Sequence, residues 1–474
     1  MTNHSPNGKS SKTNDSEEQY AYTLGIQAYI YGFPWIYNAQ LRWLWASLGG
    51  RRLNRKKKES LPWAPINSFY HATALASPKN TTGGSPNCDT LYSTAWLDVS
   101  DDPIVLSVPA VTDRYYCVEM VCMDADNFAY VGTRSTGVDA GNYLIAGPGW
   151  TGHVPKDVLN VLPRSRTTTI FLLGRTAVNN TKKEDLAKAR KTQHQYRLTP
   201  LFDWPNTPRR RPSKVMLPYG LDYNDTTGAW KTMNESMTQN PPGLPPGIGQ
   251  DQLLKLFATI GIGPNQKLDE QSQGTLSGLQ SAAEDGLKLL KEMTKSRGKK
   301  INGWTYPPLD IGRAGQNSDF VTRAALQSLA GICAHDPVEA VYLNISEHDG
   351  QPLSGQYKYI FTFPKDAFPP YDKTKHGFWS VTMYNTDYNL VGPTNYTINS
   401  NYPEYKERDS SGGMTILIQS DDPGDLPKGS YWLKAPAPTK VKKNDTFFLI
   451  MRIYVPEPSV SATQTWKPPK IRRG

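Results

Sequence analysis

Apolar and polar positions change rhythm several times along the chain. From Ala21 to Leu48 the residues are aromatic and rich in helix formers. The pattern predicts a helix through YTLGIQAYIYGF that breaks near Gly32-Phe33-Pro34, then a second through IYNAQLRWLWASL, ended by Gly49-Gly50. Between Asn67 and about Thr176, short Val/Ile/Tyr/Thr-rich runs alternate with Asp-Asp-Pro, Thr-Gly and Gly-Pro-Gly turn signals, which predicts many short strands. Residues 182–335 return to charged helical stretches, interrupted by a Pro/Gly stretch from Asn240 to Gly249. In LSGLQSAAEDGLKLLKEM, Leu276, Leu279, Ala283, Leu287 and Leu290 recur three and four residues apart, the stripe of an amphipathic helix. From Val338 to Pro456 strands and turns come back.

These shifts divide the chain into a disordered tail over 1–20, helices plus a first β-sandwich over 21–181, a helical linker block over 182–337, a second β-sandwich over 338–458 and a basic tail over 459–474. The fold class expected is α+β, mainly β: two related jelly-roll-like sandwiches joined by a largely helical middle block. The word "related" rests on an internal repeat. RYYCVEMVCMD (Arg114 to Asp124) aligns without gaps to GFWSVTMYNTD (Gly377 to Asp387), and TIFLLGR (Thr169 to Arg175) to TFFLIMR (Thr446 to Arg452). Between them Tyr143…Pro148 matches Tyr431…Pro436, so three matches keep the same order in both halves.

The same segments carry a family likeness. PNCDTLYSTAWLDVSDDPIVLSVP, the RYY strand, GTRSTG and AGPGWTGHVP resemble the domain of unknown function 1254. GFWSVTMYNTDYNLV, GGMTILIQSDDP, YWLKAPAP and FFLIMRIYVPEP resemble its usual C-terminal companion, the domain of unknown function 1214. The likeness implies paired sandwiches with a helical linker; it implies no settled activity, catalytic residue or cofactor. The chain departs from the family pattern at Asn87-Cys88-Asp89-Thr90, where relatives usually read NRDT, and in the basic run at 51–58.

Composition bounds the function. The 474 residues carry 38% hydrophobic and 11% aromatic side chains, which suits a folded protein. No apolar run reaches the roughly 18 residues of a membrane span. The net charge of +10 sits in three runs, at 51–58, 209–214 and 467–473, which read as solvated loops and a tail rather than a nucleic-acid-binding face. The first 20 residues lack an apolar signal region, so a cytoplasmic location follows by default. Four cysteines, Cys88, Cys117, Cys122 and Cys333, are too few for a disulfide framework. On one extended strand Cys117 and Cys122 face opposite ways, about 16 Å apart.

Polar residues inside the strand pattern are the candidates for chemistry. Asp89 either locks a turn or stands at a pocket mouth as a base. Along the first repeat strand, Tyr115, Cys117, Glu119, Val121 and Met123 share one face, and Arg114, Tyr116, Val118, Met120, Cys122 and Asp124 the other. A buried Glu119 needs a partner such as Arg175 or Arg323, or lines a ligand cavity. His71 is the histidine nearest Asp89 in sequence. His335, His348 and His376 are scattered, without metal-ligand spacing. There is no nucleophile elbow and no phosphate-binding glycine loop.

These features favour a protein that binds, and in a catalytic version transforms, a small molecule or glycan in an aromatic cleft where the β units meet the helical block. The chemistry would be metal-independent acid–base catalysis by Asp89, Glu119 and His71, with Arg114, Tyr115, Trp379 and Tyr384 binding the ligand. No cofactor is expected. The competing expectation is a non-enzymatic assembly protein that uses its sandwiches for homo-oligomer contacts.

Overall fold

Helix α1 runs without interruption from Asn7 to Ala46, although Pro34 lies inside it. Proline removes one backbone donor and crowds the preceding turn. Arg323 packs beside this turn, its Nη2 lying 2.5 Å from the Tyr31 carbonyl oxygen, yet the helix continues through it. The expected break at Gly32-Phe33-Pro34 is thus absent, and residues 7–20, expected as tail, form the helix's first turns. The computed structural model describes residues 7–57, 61–79, 84–157, 160–179, 182–208, 214–243, 250–392, 394–438 and 445–474. Residues 1–6 of the expected tail, Arg209–Arg211 of the second basic run and residues 244–249 of the Pro/Gly stretch fall outside these.

Helix α2 (Leu48–Lys57) carries the first basic run up to Lys57, with Arg51, Arg52, Arg55, Lys56 and Lys57 exposed on a helix rather than a loop, and Lys58 lies outside the described residues. The remaining helices are α3 (Lys183–Gln193), α4 (Thr226–Gln239), α5 (Gln250–Ala258), α6 (Gln273–Ser296), α7 (Phe320–Thr322, continued by π-helical turns over Arg323–Leu329) and α8 (Pro458–Ser461). Ser272 caps α6 by accepting the Thr275 N–H, and Leu279, Ala283, Leu287 and Leu290 of the predicted stripe are buried. Gly278 lets α6 approach α1 closely, because a Cβ there would run into the Glu18 carbonyl.

The strands before the helical layer are β1 (Tyr70–His71), β2 (Thr90–Asp98), β3 (Ile104–Val108), β4 (Tyr116–Cys122), β5 (Asn127–Gly132), β6 (Gly141–Ile145), β7 (Asn160–Val161), β8 (Thr169–Ala177) and β9 (Arg197–Pro200). They form two sheets, β1-β2-β8-β4-β5 and β7-β6-β3-β9. Leu97, Leu106, Tyr116, Val118, Met120, Tyr143 and Leu172 fill the space between them. The later strands are β10 (Lys299–Ile301), β11 (Trp304–Tyr306), β12 (Ala340–Ile345), a small hairpin of β13 (Glu347–His348) and β14 (Gln351–Pro352), β15 (Tyr359–Phe363), β16 (Phe378–Asn385), β17 (Thr397–Asn399), β18 (Met414–Gln419), β19 (Ser430–Lys434), β20 (Phe447–Tyr454) and β21 (Ile471–Arg473). Their sheets are β10-β11-β12-β20-β16-β17 and β19-β18-β15-β21, packed around Trp304, Phe361, Trp379, Val381, Ile416 and Met451.

The wiring of the two β units corresponds strand for strand. The run β2-β8-β4-β5 matches β12-β20-β16-β17, and β7-β6-β3-β9 matches β19-β18-β15-β21, in the same chain order. Each unit has one parallel pair, β6 with β7 and β18 with β19. Cys117 lies opposite Arg175 in the first unit as Ser380 lies opposite Arg452 in the second, which keeps two of the three sequence matches in register. The third match fails: Tyr143 sits in β6, whose counterpart by position is β18, whereas Tyr431 sits in the edge strand β19.

Two boundaries also move. Strand β9, and strands β10 and β11, belong to the β units although they fall within 182–337. The expected basic tail ends in β21, which pairs with β15.

Sheet β1-β2-β8-β4-β5 is covered on both faces. Its inner face meets the other sheet of its own unit. On the outer face, Trp96, Val121, Met123, Phe171 and Leu173 pack against α1, α4, α6 and the π-helical turns. Tyr115, Cys117 and Ala177 pack instead against Ala340, Phe378, Tyr454 and Val455 of the second unit. Glu119, between Cys117 and Val121 on that face, therefore lies where both β units and the helical layer meet.

Candidate functional site

Two regions hold the chemistry-bearing residues. The first is the seam between the β units, and its polar groups are buried apart from Arg134, which is partly exposed. Just before β2, Asn87 Oδ1 accepts the Asp89 N–H at 2.6 Å, so the turn is locked by the Asn87 side chain. The Asp89 carboxylate crosses the seam. Oδ2 accepts from Ser380 Oγ at 2.6 Å and Tyr454 Oη at 3.4 Å, and Oδ1 from Asn399 Nδ2 at 2.9 Å. Just before β12, Glu339 crosses the other way: Tyr115 Oη donates to it at 2.7 Å, and Arg134 forms an ion pair with it.

Glu119 projects into the same seam. Tyr130 Oη donates to Oε1 at 3.3 Å, and Arg175, one of its two expected partners, stands 3.9 Å from Oε2. His335 Nδ1 is 3.1 Å from that oxygen without hydrogen-bond geometry, and His335 Nε2 is 3.5 Å from Cys117 Sγ. Burial raises the Glu119 carboxyl to about 8, against the pull of Arg175, so the acid keeps its proton at neutral pH. Burial, then Arg175, holds His335 well below the usual imidazole range, and burial first pushes the Cys117 thiol well up. A thiol, an imidazole and a carboxyl in this order resemble a nucleophilic triad. Glu119, His335 and Cys117 are nevertheless fully buried, and a nucleophile sealed from solvent meets no substrate.

The second region is an open cleft of ≈ 1750 Å³ on the first unit, walled by Trp63, Phe69, Tyr196 and Trp204, with His71, His194, Asp98 and Asp101 among its polar lining. Short strand β1 places His71 at the edge of β2, where it lies opposite Ser93. His71 Nδ1 and Ser93 Oγ are 2.9 Å apart. Phe69 stacks on the imidazole at 5.4 Å, and the His194 ring meets it edge-on at 5.4 Å. Burial, then His194, lowers His71 to about 4, so it is uncharged at neutral pH. Trp204 donates to Asp157 at 2.8 Å, and Arg51 lies 4.2 Å over the Trp63 ring.

The expected catalytic set is thus divided: Asp89 and Glu119 lie in the seam, His71 in the cleft. The expected ligand contacts do not line the cleft. Arg114 is tied to Asp113, Asp185 and the Ala177 carbonyl, and Tyr115 to Glu339. Trp379 is core of the second unit, and Tyr384 donates to the Pro86 carbonyl at 2.9 Å. Sequence reasoning missed His194, Tyr196, Trp63 and Trp204, which come from segments far apart in the chain. It also missed Arg452 and Glu339, although the repeat places Arg452 in register with Arg175. Among the described residues, no three His, Cys, Asp or Glu side chains gather as a metal site. No helix among them is long and apolar enough to cross a membrane.

The fold and seam define a class: an α+β protein in which two β units of like wiring face each other and share one helical layer. Two family models match the chain, the protein of unknown function DUF1254 over residues 66–200 and the protein of unknown function DUF1214 over 339–458. The chain belongs to the family that carries this pair. It is similar in structure to the VPA0106 protein from Vibrio parahaemolyticus, at 21% identity and a TM-score of 0.68, over 96% of this chain and 100% of that one. That likeness concerns the fold alone. An uncharacterised protein from Burkholderia cenocepacia aligns over 98% of this chain and 96% of its own, at 13% identity and a TM-score of 0.43. No curated protein matches the chain.

Proposed function

We propose that this protein binds a small polar ligand with flat apolar faces, of the glycan type, in the aromatic cleft of its first β unit. The observation that carries the reading is the company His71 keeps: an uncharged imidazole, fixed through Ser93, inside a ≈ 1750 Å³ cleft walled by indole and phenol rings. Aromatic faces take up the apolar side of a sugar ring or planar molecule, and carboxylates and imidazoles satisfy its hydroxyls. The cleft exceeds the 300–1,000 Å³ of a typical small-molecule pocket, which suits an extended ligand. A catalytic version of this site would use neutral His71 as the base. The seam holds more strongly perturbed groups, but the cleft is favoured because a ligand can enter it.

We infer, too, that the two β units arose by duplication of one unit. The support is their common strand order, the parallel pair in each, and the shared register of Arg175 and Arg452.

The test is ligand-observed NMR with a panel of oligosaccharides and planar metabolites, run on the wild type and on Trp63→Ala/Trp204→Ala. Binding to the wild type that is lost in the double variant supports the reading. Binding that survives the double variant, or no binding across the panel, overturns it.

A further inference from the structure

The seam contains a second, internal feature that the cleft does not touch. Arg175 on β8 and Arg452 on β20 hold equivalent places in the two units, opposite Tyr92 and Tyr342 respectively. Both guanidiniums are buried, at 5% and 4% exposure. Arg175 gives Nη1 to Tyr92 Oη at 3.1 Å and Nη2 to the Cys333 carbonyl at 3.3 Å, which leaves its Nε without an acceptor. Arg452 gives Nη2 to the Ser85 carbonyl at 3.1 Å and leaves Nη1 without one.

Tyr342 is the hub between them. It is the direct cross-strand neighbour of Arg452, its ring stacks on His335 at 6.4 Å, and its hydroxyl feels both Arg175 and Arg452. That hydroxyl, too, has no hydrogen-bond partner. Each buried polar atom left in this state costs about 1–3 kcal/mol, so the three donors Arg175 Nε, Arg452 Nη1 and Tyr342 Oη call for an acceptor.

The polarity of the group identifies its guest. Two guanidinium N–H groups and a phenol O–H are donors. A protonated Glu119, whose Oε2 faces the His335 imidazole, removes the one carboxylate charge within 4 Å of Arg175 among the described residues. Glu339 is already paired with Arg134, and Asp89 is held by Ser380, Asn399 and Tyr454. A neutral water would satisfy some of these donors but would leave the Arg175 charge uncompensated.

We propose that the seam encloses one small carboxylate anion, held between Arg175 and Arg452 by their spare N–H groups and by the Tyr342 hydroxyl. It joins the two β units at their centre, so its binding free energy adds to the stability of the fold.

The experiment follows thermal unfolding of the full chain after it has been unfolded and refolded in the presence of acetate, or of its uncharged isostere acetamide, at constant ionic strength, so that the anion can be enclosed as the seam closes. The expected result is a saturating rise in Tm with acetate and none with acetamide. Arg452→Met should weaken the apparent acetate affinity by about ten-fold or more, and Tyr342→Phe by several-fold, since each removes a donor to an anion. Trp204→Ala, in the cleft, should leave the acetate response unchanged, which separates this site from the proposed ligand cleft. An equal response to acetamide, or a Tyr342→Phe variant that folds and binds acetate as the wild type does, overturns the proposal; the Tyr342 variant keeps the test decisive should Arg452→Met not fold.

Discussion

Asp89 and Glu339 mirror each other across the seam: each directly precedes the strand whose tyrosine faces a buried arginine, and each directs its carboxylate into the opposite β unit. The exchange is reciprocal, so neither unit completes its own hydrogen bonding alone. Replacing Asp89 with alanine would strand Ser380, Asn399 and Tyr454 in a dry interface, at a cost of about 3 kcal/mol or more. Denaturant unfolding of Asp89→Ala and Ser380→Ala, singly and together, measures it. A double-mutant coupling energy near zero would show that the crossing contributes nothing.

Glu119 predicts an unusual pH dependence. Its folded carboxyl titrates near 8, and an unfolded glutamate near 4.5, so between these values the folded state binds more protons. Stability therefore falls as pH rises from about 4.5 through about 8. Glu119→Gln keeps the neutral form at every pH and should flatten that decline. Chemical denaturation at several pH values checks it; a wild type and variant with parallel profiles would refute the assignment.

His71 has the opposite sign. Burial keeps its imidazole neutral down to about 4, whereas an unfolded histidine titrates near 6.5. The unfolded chain binds the extra proton in this window, so His71 lowers stability as pH falls from about 6.5 toward 4. Resolved imidazole resonances would show His71 unprotonated at pH 5.5; a midpoint near 6.5 would mean an exposed ring and no enclosed corner in the cleft.

All four cysteines are buried as free thiols. Burial first raises Cys88 to about 12 and Cys122 to about 11, and raises Cys117 and Cys333 well above the usual thiol range. The native protein should show no fast reaction with a thiol reagent, and all four thiols should react in denaturant. Rapid modification of Cys117 alone would reopen the case for the Cys117–His335–Glu119 arrangement as a working nucleophile.

The C-terminal segment is structural. Ile471 is buried in the second unit, β21 pairs with β15, and Arg473 lies 3.5 Å over the Tyr357 ring. Ending the chain after Pro469 should lower stability by about 2–4 kcal/mol, measured by thermal unfolding, where loss of a tail would cost nothing.

The alternation of Tyr115 through Met123 and the stripe from Leu279 to Leu290 were legible in the sequence, because faces of strands and helices follow from local geometry, and Arg175 was one of two arginines named as neighbours for Glu119. The helix through Pro34 was not legible, since its residues on either side, such as Tyr31, Phe33, Trp35 and Ile36, are held in a core shared with α4, α6 and the π-helical turns, all distant in sequence. Nor were the two terminal elements: α1 from Ala21 onward packs on α4 and α6, and Ile471–Arg473 pairs with β15, partners distant in sequence.

The candidate chemistry divides in the same way. Residue types and their faces named Asp89, Glu119 and His71, but a sequence carries no information on which carboxyl is sealed and which imidazole reaches solvent. Only the packing of one sheet between its own partner sheet, the second unit and the helical layer placed Glu119 at a dry junction and left His71 at an open edge. Solvation, set by what covers each face, decided which of these groups a ligand can reach.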